Sequence, residues 1–233
     1  MTHLAALIFD LDGVLTDTAE LHRRAWQRLA ADEAIPWDPR GNGALRGLPR
    51  EASLRRLLDG RAIGDARFAE LLDRKNGYYL ELVEQLGPDD LVRGAAELLA
   101  EARAAGVALA LASASRNARR VLDRLAAAAW FDVIVDGDAP VRGKPAPDSF
   151  EHAARMLCVA AADCVVLEDA PVGLQAARAA GMRCVGVGPD ARNEPADWHV
   201  GQLSELSLAM LGGVPGAAQG AAPTVSYSSL VPF

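Results

Sequence analysis

Short apolar runs and longer amphipathic segments alternate along most of this chain. The apolar runs predict buried strands at residues 4–9, 107–112, 132–135, 164–167 and 183–187. Helical periodicity follows the later runs, at residues 94–105, 116–127, 147–157 and 170–180. Strands that alternate with helices and short Gly, Pro and Asp breaks predict an α/β fold, in which a doubly wound parallel sheet forms the core.

The interval between the first and second predicted strands has a different pattern. Residues 17–90 contain no convincing strand, and amphipathic helical patterns occupy residues 19–31, 51–58 and 65–86. We therefore expect an inserted helical cap domain at 16–90, joined by hinges near 15–17 and 87–93 to a core domain of 1–15 and 91–211. Gly, Ala, Pro and Ser dominate residues 212–233, which we expect to form a flexible tail.

Composition narrows the class of protein. The 233 residues carry 24 basic and 31 acidic side chains, a net charge of −7, with no basic block, so nucleic acid is not an expected partner. No apolar run approaches the roughly 20 residues of a membrane span, and the N-terminus resembles a strand rather than a signal peptide, so we expect a cytoplasmic protein. The three cysteines lack a metal-ligand spacing, and we expect buried free thiols.

The end of the first predicted strand carries the first candidate chemistry. Asp10 and Asp12 lie one residue apart, so strand alternation directs both carboxylates to the same side, and Gly13 permits a sharp turn after them. Two carboxylates so placed can divide the work of group transfer. One attacks as a nucleophile while held on a cation, and the other carries the proton.

Polar residues also follow three later strands, at the edge where open parallel sheets bind their ligands. The second strand is followed by hydroxyls and a helix start that suit phosphoryl oxygens, at Ser113, Ser115 and Asn117. Lys144 then lies in a loop stiffened by prolines, and Glu168 and Asp169 form a second acid pair. Hard carboxylate oxygens suit Mg²⁺. The four strand ends together predict a phosphoryl-transfer site.

On these residues the chain resembles the haloacid dehalogenase superfamily, and its sugar-phosphate mutases most closely, over residues 4–211. The general motifs are Asp10-Leu11-Asp12-Gly13-Val14, Ser113, Lys144-Pro145 and Glu168-Asp169 with Gly173. The more specific matches are Thr16-Asp17-Thr18-Ala19-Glu20 with His22 and Trp26, Leu45-Arg46-Gly47 with Arg50, Arg74-Lys75-Asn76, and Leu111-Ala112-Ser113-Ala114-Ser115 with Asn117.

The resemblance implies a role for each matching residue of the core. Asp10 is the expected nucleophile, which becomes an aspartyl phosphate, and Asp12 the general acid/base. Ser113 and Lys144 are expected to bind the transferring phosphoryl group. The implied Mg²⁺ ligands are Asp10, the main-chain carbonyl of Asp12, Glu168 and Asp169.

The resemblance also implies that the cap binds the rest of the substrate. Arg50 is expected to hold the phosphate that does not react, Ser115 and Asn117 to bind that phosphate or the sugar, and Arg46 with Gly47 to line the cleft. His22 and Lys75 would link cap closure to the acid/base. The implied reaction moves a phosphoryl group between C1 and C6 of β-glucose, with β-glucose 1,6-bisphosphate as intermediate and activator, in a monomeric enzyme whose partners are small sugar phosphates.

Several readings stay open from the sequence alone. The same core motifs also serve a Mg²⁺-dependent hydrolase of sugar phosphates, in which water attacks the aspartyl phosphate. Glu168 could pair with a cation instead of a metal, Ser113 could cap the following helix, and His22 and Lys75 could lie on a solvated helix face.

Overall fold

The computed structural model describes residues 3–38 and 50–212. Arg46, Gly47 and the predicted tail from residue 213 onward lie outside the described residues. The described sheet has six strands, all parallel, in the order β3-β2-β1-β4-β5-β6. They are β1 Ala6–Phe9, β2 Ala108–Ala112, β3 Val133–Val135, β4 Cys164–Glu168, β5 Arg183–Val187 and β6 Trp198–Val200.

The central strand explains why the candidate residues meet. Phe9 at the end of β1 is in register with Leu111 of β2 and with Leu167 of β4. The next residues of the three strands therefore emerge level with one another, at the carboxyl edge of the sheet. All four residues of β1 are buried, as expected for a strand covered on both faces.

Seven α-helices are assigned in the described residues: α1 Ala19–Asp32, α2 Arg50–Leu58, α3 Asp65–Val83, α4 Ala95–Ala104, α5 Ala118–Arg124, α6 Asp148–Leu157 and α7 Pro171–Ala179. Leu7 and Phe9 of β1 share a buried cluster with residues of α4 and α5. Ala6 and Ile8, which point to the opposite face, share another with residues of α6 and α7. The predicted doubly wound α/β fold is thus confirmed.

Helices α1, α2 and α3 pack around a third buried cluster, which contains Trp26, Leu29, Leu54 and Leu71. The C-terminal part of α3 instead joins the cluster on one face of the sheet, through Tyr79 and Val83, and contacts α5. The interval 17–90 contains no assigned strand in its described part, as the sequence indicates.

Two connecting segments lead into and out of these helices, at residues 15–16 and 90–92; we call them the chain crossings, and they are hydrogen-bonded to each other. The Val92 N–H donates to the Leu15 carbonyl at 2.9 Å, and the Thr16 hydroxyl donates to the Asp90 carbonyl at 2.9 Å. The crossings coincide with the two hinges expected from the sequence. The division of the chain into core and cap domains at these points stays a prediction.

Arg183, at the amino end of β5, joins the two ends of the described chain. Its guanidinium donates to the Leu211 carbonyl at 2.9 Å and to the His3 carbonyl at 3.1 Å. This junction lies at the amino edge of the sheet, opposite the edge that carries the acid pairs.

Three features differ from the sequence prediction. Strand β6 was not predicted, because it is a three-residue edge strand in which His199 is exposed and no apolar run marks it. Helix α5 is shorter than 116–127, since Asn117 is its N-cap and Ala126 takes a positive φ of 53° after its end. Cys164 and Cys184 are buried free thiols, but Cys158 is exposed, because it ends α6 at the surface.

Among the residues described, no helix is both long and apolar enough to cross a membrane.

Candidate active site

The turn after β1 holds the two aspartates at the carboxyl edge of the sheet. The Asp10 N–H donates to the Leu167 carbonyl at 2.9 Å, which continues the pairing of β1 with β4. Gly13 then takes a φ of +85° and donates its N–H to the Thr16 carbonyl at 2.8 Å. A Cβ at Gly13 would lie 2.1 Å from Oδ2 of Asp169. Glycine is required here because the turn packs directly against the second acid pair.

Lys144 is the cation at the centre of the site. Its ammonium donates to Oδ1 of Asp10 at 2.5 Å, to Oε2 of Glu168 at 2.6 Å and to the Ala112 carbonyl at 3.2 Å. Burial opposes the charged form, but the carboxylates of Asp10 and Glu168 outweigh it and raise the pKa of Lys144. Lys144 therefore stays protonated, with all three N–H donors directed to fixed oxygens.

Asp10, Glu168 and Asp169 form a cluster with the geometry of a cation site. One carboxylate oxygen from each lies within 4.8 Å of the others. Three carboxylates and one ammonium leave a charge of −2, which a divalent cation would neutralise. A Cβ at Gly173 of α7 would lie 2.0 Å from Cδ of Glu168, so glycine makes room for this carboxylate. The hard oxygen donors and their spacing fit Mg²⁺.

Glu168 does both things that the sequence left open, because it pairs with Lys144 and belongs to the acid cluster. Burial and the nearby charge of Asp10 raise the pKa of Glu168, while Lys144 opposes the shift. The Ala170 N–H donates to its Oε1 at 3.1 Å, which fixes the carboxylate at the start of α7.

Asp12 does not belong to this three-carboxylate cluster, and its Oδ1 accepts a hydrogen bond from the hydroxyl of Thr18. Burial, followed by the charge of Asp10, raises the pKa of Asp12 to about 7. A carboxyl with a pKa near 7 can both give and accept a proton at neutral pH, which is what a general acid/base needs.

Ser113 follows β2 and is buried beside the Lys144 contact at Ala112. Its N–H donates to the Val135 carbonyl, and its hydroxyl oxygen accepts the Ser115 N–H at 3.1 Å. The Ser115 hydroxyl oxygen accepts the Asn117 N–H at 3.2 Å. These turns bring hydroxyls and N–H groups to the same edge as the acids, as the strand register predicts.

His22 of α1 and Lys75 of α3 are in direct contact, with 2.7 Å between Nδ1 and Nζ. Lys75 is buried, so the solvated-face reading is wrong for it. Burial lowers its pKa to about 7; the charge of Asp12 opposes this shift and that of Arg50 adds to it. Burial and then Lys75 lower the pKa of His22 to about 3, so the ring that contacts the lysine is neutral near pH 7.

Two residues assigned to the substrate phosphate are engaged within the protein. The Arg50 guanidinium lies 3.1 Å from a carboxylate oxygen of Glu51. The Asn117 side-chain amide donates to Oδ1 of Asn76 in α3 at 2.9 Å. Arg46 and Gly47 lie in the segment that the structure does not describe.

Three residues that contact these groups had no predicted role. Thr18 bonds Asp12, Tyr79 stacks on His22 with ring centroids 4.0 Å apart, and Asn76 bonds Asn117. Thr18 is the N-cap residue of α1, but its hydroxyl bonds Asp12 and does not cap the helix. Tyr79 follows Lys75 by one helical turn, and that spacing could have placed both on one face.

The fold is a parallel sheet flanked by helices, and its carboxyl edge carries an aspartate pair, buried hydroxyls, a fixed lysine and an acid cluster. This combination defines a class of phosphoryl-transfer proteins. The model of the haloacid dehalogenase-like hydrolase family matches residues 4–181, and the chain belongs to this family. Within it, the chain is 44% identical to the β-phosphoglucomutase of Bacillus subtilis over 212 residues, 89% of this chain and 94% of that protein.

Other relatives carry different names. The chain is 33% identical to protein CbbY of Rhodobacter capsulatus, covering 91% of this chain and 99% of the relative. It is 34% identical to the fructose-1-phosphate phosphatase YqaB of Escherichia coli, covering 78% and 96%. Among solved structures, the β-phosphoglucomutase of Clostridium difficile superimposes with a TM-score of 0.83 at 33% identity, covering 90% of this chain and 96% of that one.

Proposed function

We propose that this protein is a β-phosphoglucomutase, which interconverts β-glucose 1-phosphate and glucose 6-phosphate. The observation that carries the proposal is the His22–Lys75 pair, whose buried lysine lies close enough to Asp12 for the charge of Asp12 to act on its pKa. A hydrolase needs only the strand-end motifs of the core. A mutase must also control when the acid/base acts, and residues from α1 and α3 offer that control. The 44% identity to the β-phosphoglucomutase of Bacillus subtilis supports the same function.

In the proposed priming step, a carboxylate oxygen of Asp10 attacks one phosphorus of β-glucose 1,6-bisphosphate as the bond from that phosphorus to the sugar oxygen breaks, which gives an aspartyl phosphate and a glucose monophosphate. Asp12 gives its proton to the leaving sugar oxygen. In the reverse sense, Asp12 takes the proton of the C6 hydroxyl of β-glucose 1-phosphate, and that oxygen attacks the aspartyl phosphate, so that Asp10 is released and the bisphosphate forms again. Phosphoryl transfer in both senses passes through β-glucose 1,6-bisphosphate, which also primes the enzyme.

Lys144 and Ser113 would bind the oxygens of the transferring phosphoryl group, where Lys144 offsets charge beside Asp10. Asp10, the Asp12 carbonyl, Glu168 and Asp169 would hold Mg²⁺, which supplies charge neutralisation at the phosphoryl oxygens. Arg50, with Ser115 and Asn117, would bind the second phosphate. Arg46 and Gly47 would line the cleft nearby.

We also propose that residues 16–90 close over the core as a cap. Water is present at about 55 M, so a sugar hydroxyl prevails only if it is aligned while water is excluded. Oriented delivery reaches effective molarities on the order of 10⁵ M or more, which is enough to outcompete water. Closure before Asp12 becomes active would therefore separate a mutase from a phosphatase.

Phosphorus NMR tests the proposal directly. The protein is mixed with β-glucose 1-phosphate, a trace of β-glucose 1,6-bisphosphate and Mg²⁺. We expect glucose 6-phosphate as the main product, free phosphate as a minor one, and little reaction with the α anomer. Free phosphate from several sugar phosphates, with no glucose 6-phosphate, would replace this function with the hydrolase.

A further inference from the structure

Helix α5 of the core bonds α3 and the segment after it through one face. Asn117, Arg120 and Arg124 are spaced three and four residues apart, so they share that face. Asn117 donates to Asn76 at 2.9 Å, Arg120 Nε to Oε1 of Glu84 at 2.7 Å, and Arg124 to the Leu86 carbonyl at 3.1 Å. We call these three contacts the α3–α5 seam.

Arg119, which is next to Arg120 on α5, makes its hydrogen bonds within the core rather than with α3 or the segment after it. Arg119 Nε donates to Oδ2 of Asp136 at 2.8 Å, and its Nη2 to the Ile134 carbonyl at 3.0 Å. Both acceptors follow or belong to β3, within the core. Arg119 and Arg120 have similarly exposed side chains, at 61% and 55%. Two adjacent arginines thus face two different parts of the molecule.

The two ends of the seam stand at different distances from the chain crossings. Leu86 lies shortly before Asp90 and Val92, which are bonded to Thr16 and Leu15 of the other crossing. Asn76 lies ten residues earlier, mostly along α3, or roughly 15 Å away at the helical rise of about 1.5 Å per residue. A rotation about the crossings would move Asn76 most and Leu86 least.

We propose that α5 positions the cap by holding α3 at its pivot. Arg120 and Arg124 are positioning residues that hold the segment directly after α3, at Glu84 and Leu86, while the Asn76–Asn117 bond is the contact that breaks first on opening. The proposal rests on the proposed function in two respects, because the movement of the cap and the assignment of Asn117 to the substrate phosphate are both proposed there. A phosphate bound at Asn117 would sit at the end of the seam that opens.

The matched pair Arg120→Ala and Arg119→Ala tests the proposal. Each variant removes one exposed, ion-paired arginine from the same helix, so a general loss of α5 stability affects both. Exposed ion pairs contribute little, so we expect Arg120→Ala to raise amide exchange across residues 76–92 about two- to five-fold. Arg119→Ala should leave exchange in this segment unchanged. The exchange measurement needs no substrate, so it is independent of the proposed reaction.

A charge reversal tests whether the ion pair is responsible. Glu84→Arg combined with Arg120→Glu should restore exchange to the wild-type level, whereas either change alone should not. In wild type, added salt at about 1 M should raise exchange toward the Arg120→Ala level, because it screens an exposed pair.

Kinetics give the second measurement. If the enzyme is a mutase, Arg120→Ala should raise the KM for β-glucose 1-phosphate and the share of free phosphate about two- to five-fold each, with kcat little changed. Equal exchange in the Arg119 and Arg120 variants, or no recovery in the double reversal, would overturn the seam. Failure to form glucose 6-phosphate in wild type would overturn the proposed function and leave the exchange result standing.

Discussion

Lys144 and Lys75 are both largely buried lysines, yet their surroundings move their pKa values in opposite directions. Lys144 meets two carboxylates that outweigh the cost of burial. Lys75 contacts His22 and lies 5.0 and 4.9 Å from the ring centroids of Trp26 and Tyr79. These contacts do not offset burial, and its pKa falls to about 7. Lys144 is therefore a fixed charge, whereas Lys75 can exchange a proton near neutral pH.

This difference predicts a pH-dependent stability. Because the pKa of Lys75 is about 7 in the folded protein and 10.5 for an ordinary lysine, the folded state binds fewer protons between these values. Stability should rise with pH from about 7 to about 10.5, and the full cost of the buried charge is present below pH 7. Lys75→Met should stabilise the protein at pH 6 by up to about 4 kcal/mol, and the gain should fade by pH 10.

Denaturant unfolding at several pH values measures this gain. Lys144→Met is the contrasting variant, since it leaves Asp10 and Glu168 without their buried partner and should destabilise throughout. A Lys75→Met variant that is equally stable relative to wild type at pH 6 and pH 10 would contradict the reasoning.

Asparagine in place of either aspartate in the turn after β1 should impair the reaction at a different step. Asp10→Asn removes the nucleophile, so no acyl phosphate should form. Asp12→Asn keeps the main-chain carbonyl and the acid cluster but cannot carry a proton, so turnover should fall by roughly 10²-fold or more. Trapping of the acyl phosphate and steady-state rates, each with and without chelator, check both. Full turnover of Asp10→Asn would exclude an aspartyl phosphate on this residue.

At the scale of elements, two helical glycines predict opposite outcomes for the same substitution. Gly77 in α3 has open space where a Cβ would stand, so Gly77→Ala should stabilise the protein by about 0.5–1 kcal/mol. At Gly173 in α7 the Cβ would collide with the Glu168 side chain. Gly173→Ala should therefore displace that carboxylate and weaken Mg²⁺ binding, despite the same gain in helix propensity.

Thermal unfolding with and without Mg²⁺ distinguishes these effects. Wild type and Gly77→Ala should show similar increases in Tm on adding Mg²⁺, because the ion binds the folded state. In Gly173→Ala the increase should shrink. A full Mg²⁺-dependent increase in that variant would mean that Glu168 is not needed for the ion.

The elements that the sequence predicted best are those whose pattern is local. Buried parallel strands are continuous apolar runs, and the residue after each run falls at one edge of the sheet, so the acids and Lys144 could be placed together. Strand β6 escaped because pairing with β5, not its own sequence, makes it a strand. Thr18, Tyr79 and Asn76 escaped because their partners lie on other segments that only the fold brings near.

At the scale of the whole molecule, Arg50 provides the test of remote binding. If it holds the phosphate that does not react, Arg50→Ala removes binding energy that is used to close the cap, so both KM and kcat for the sugar phosphate should suffer. Acetyl phosphate has no second phosphate and should be affected far less as a phosphoryl donor. Equal losses for the two donors would assign Arg50 a different role. Glu51→Gln is the companion variant, because it removes the carboxylate charge that pairs with the Arg50 guanidinium.

The contacts of Arg183 identify a side of the sheet that lies away from the candidate active site. Since one guanidinium bonds the carbonyls of both His3 and Leu211, these two residues lie near each other at the sheet edge opposite the acid cluster. A linker or a resin coupled beside either residue would leave from the rear of the sheet. The protein could therefore be anchored to a support by either of these points with its cleft facing the solution.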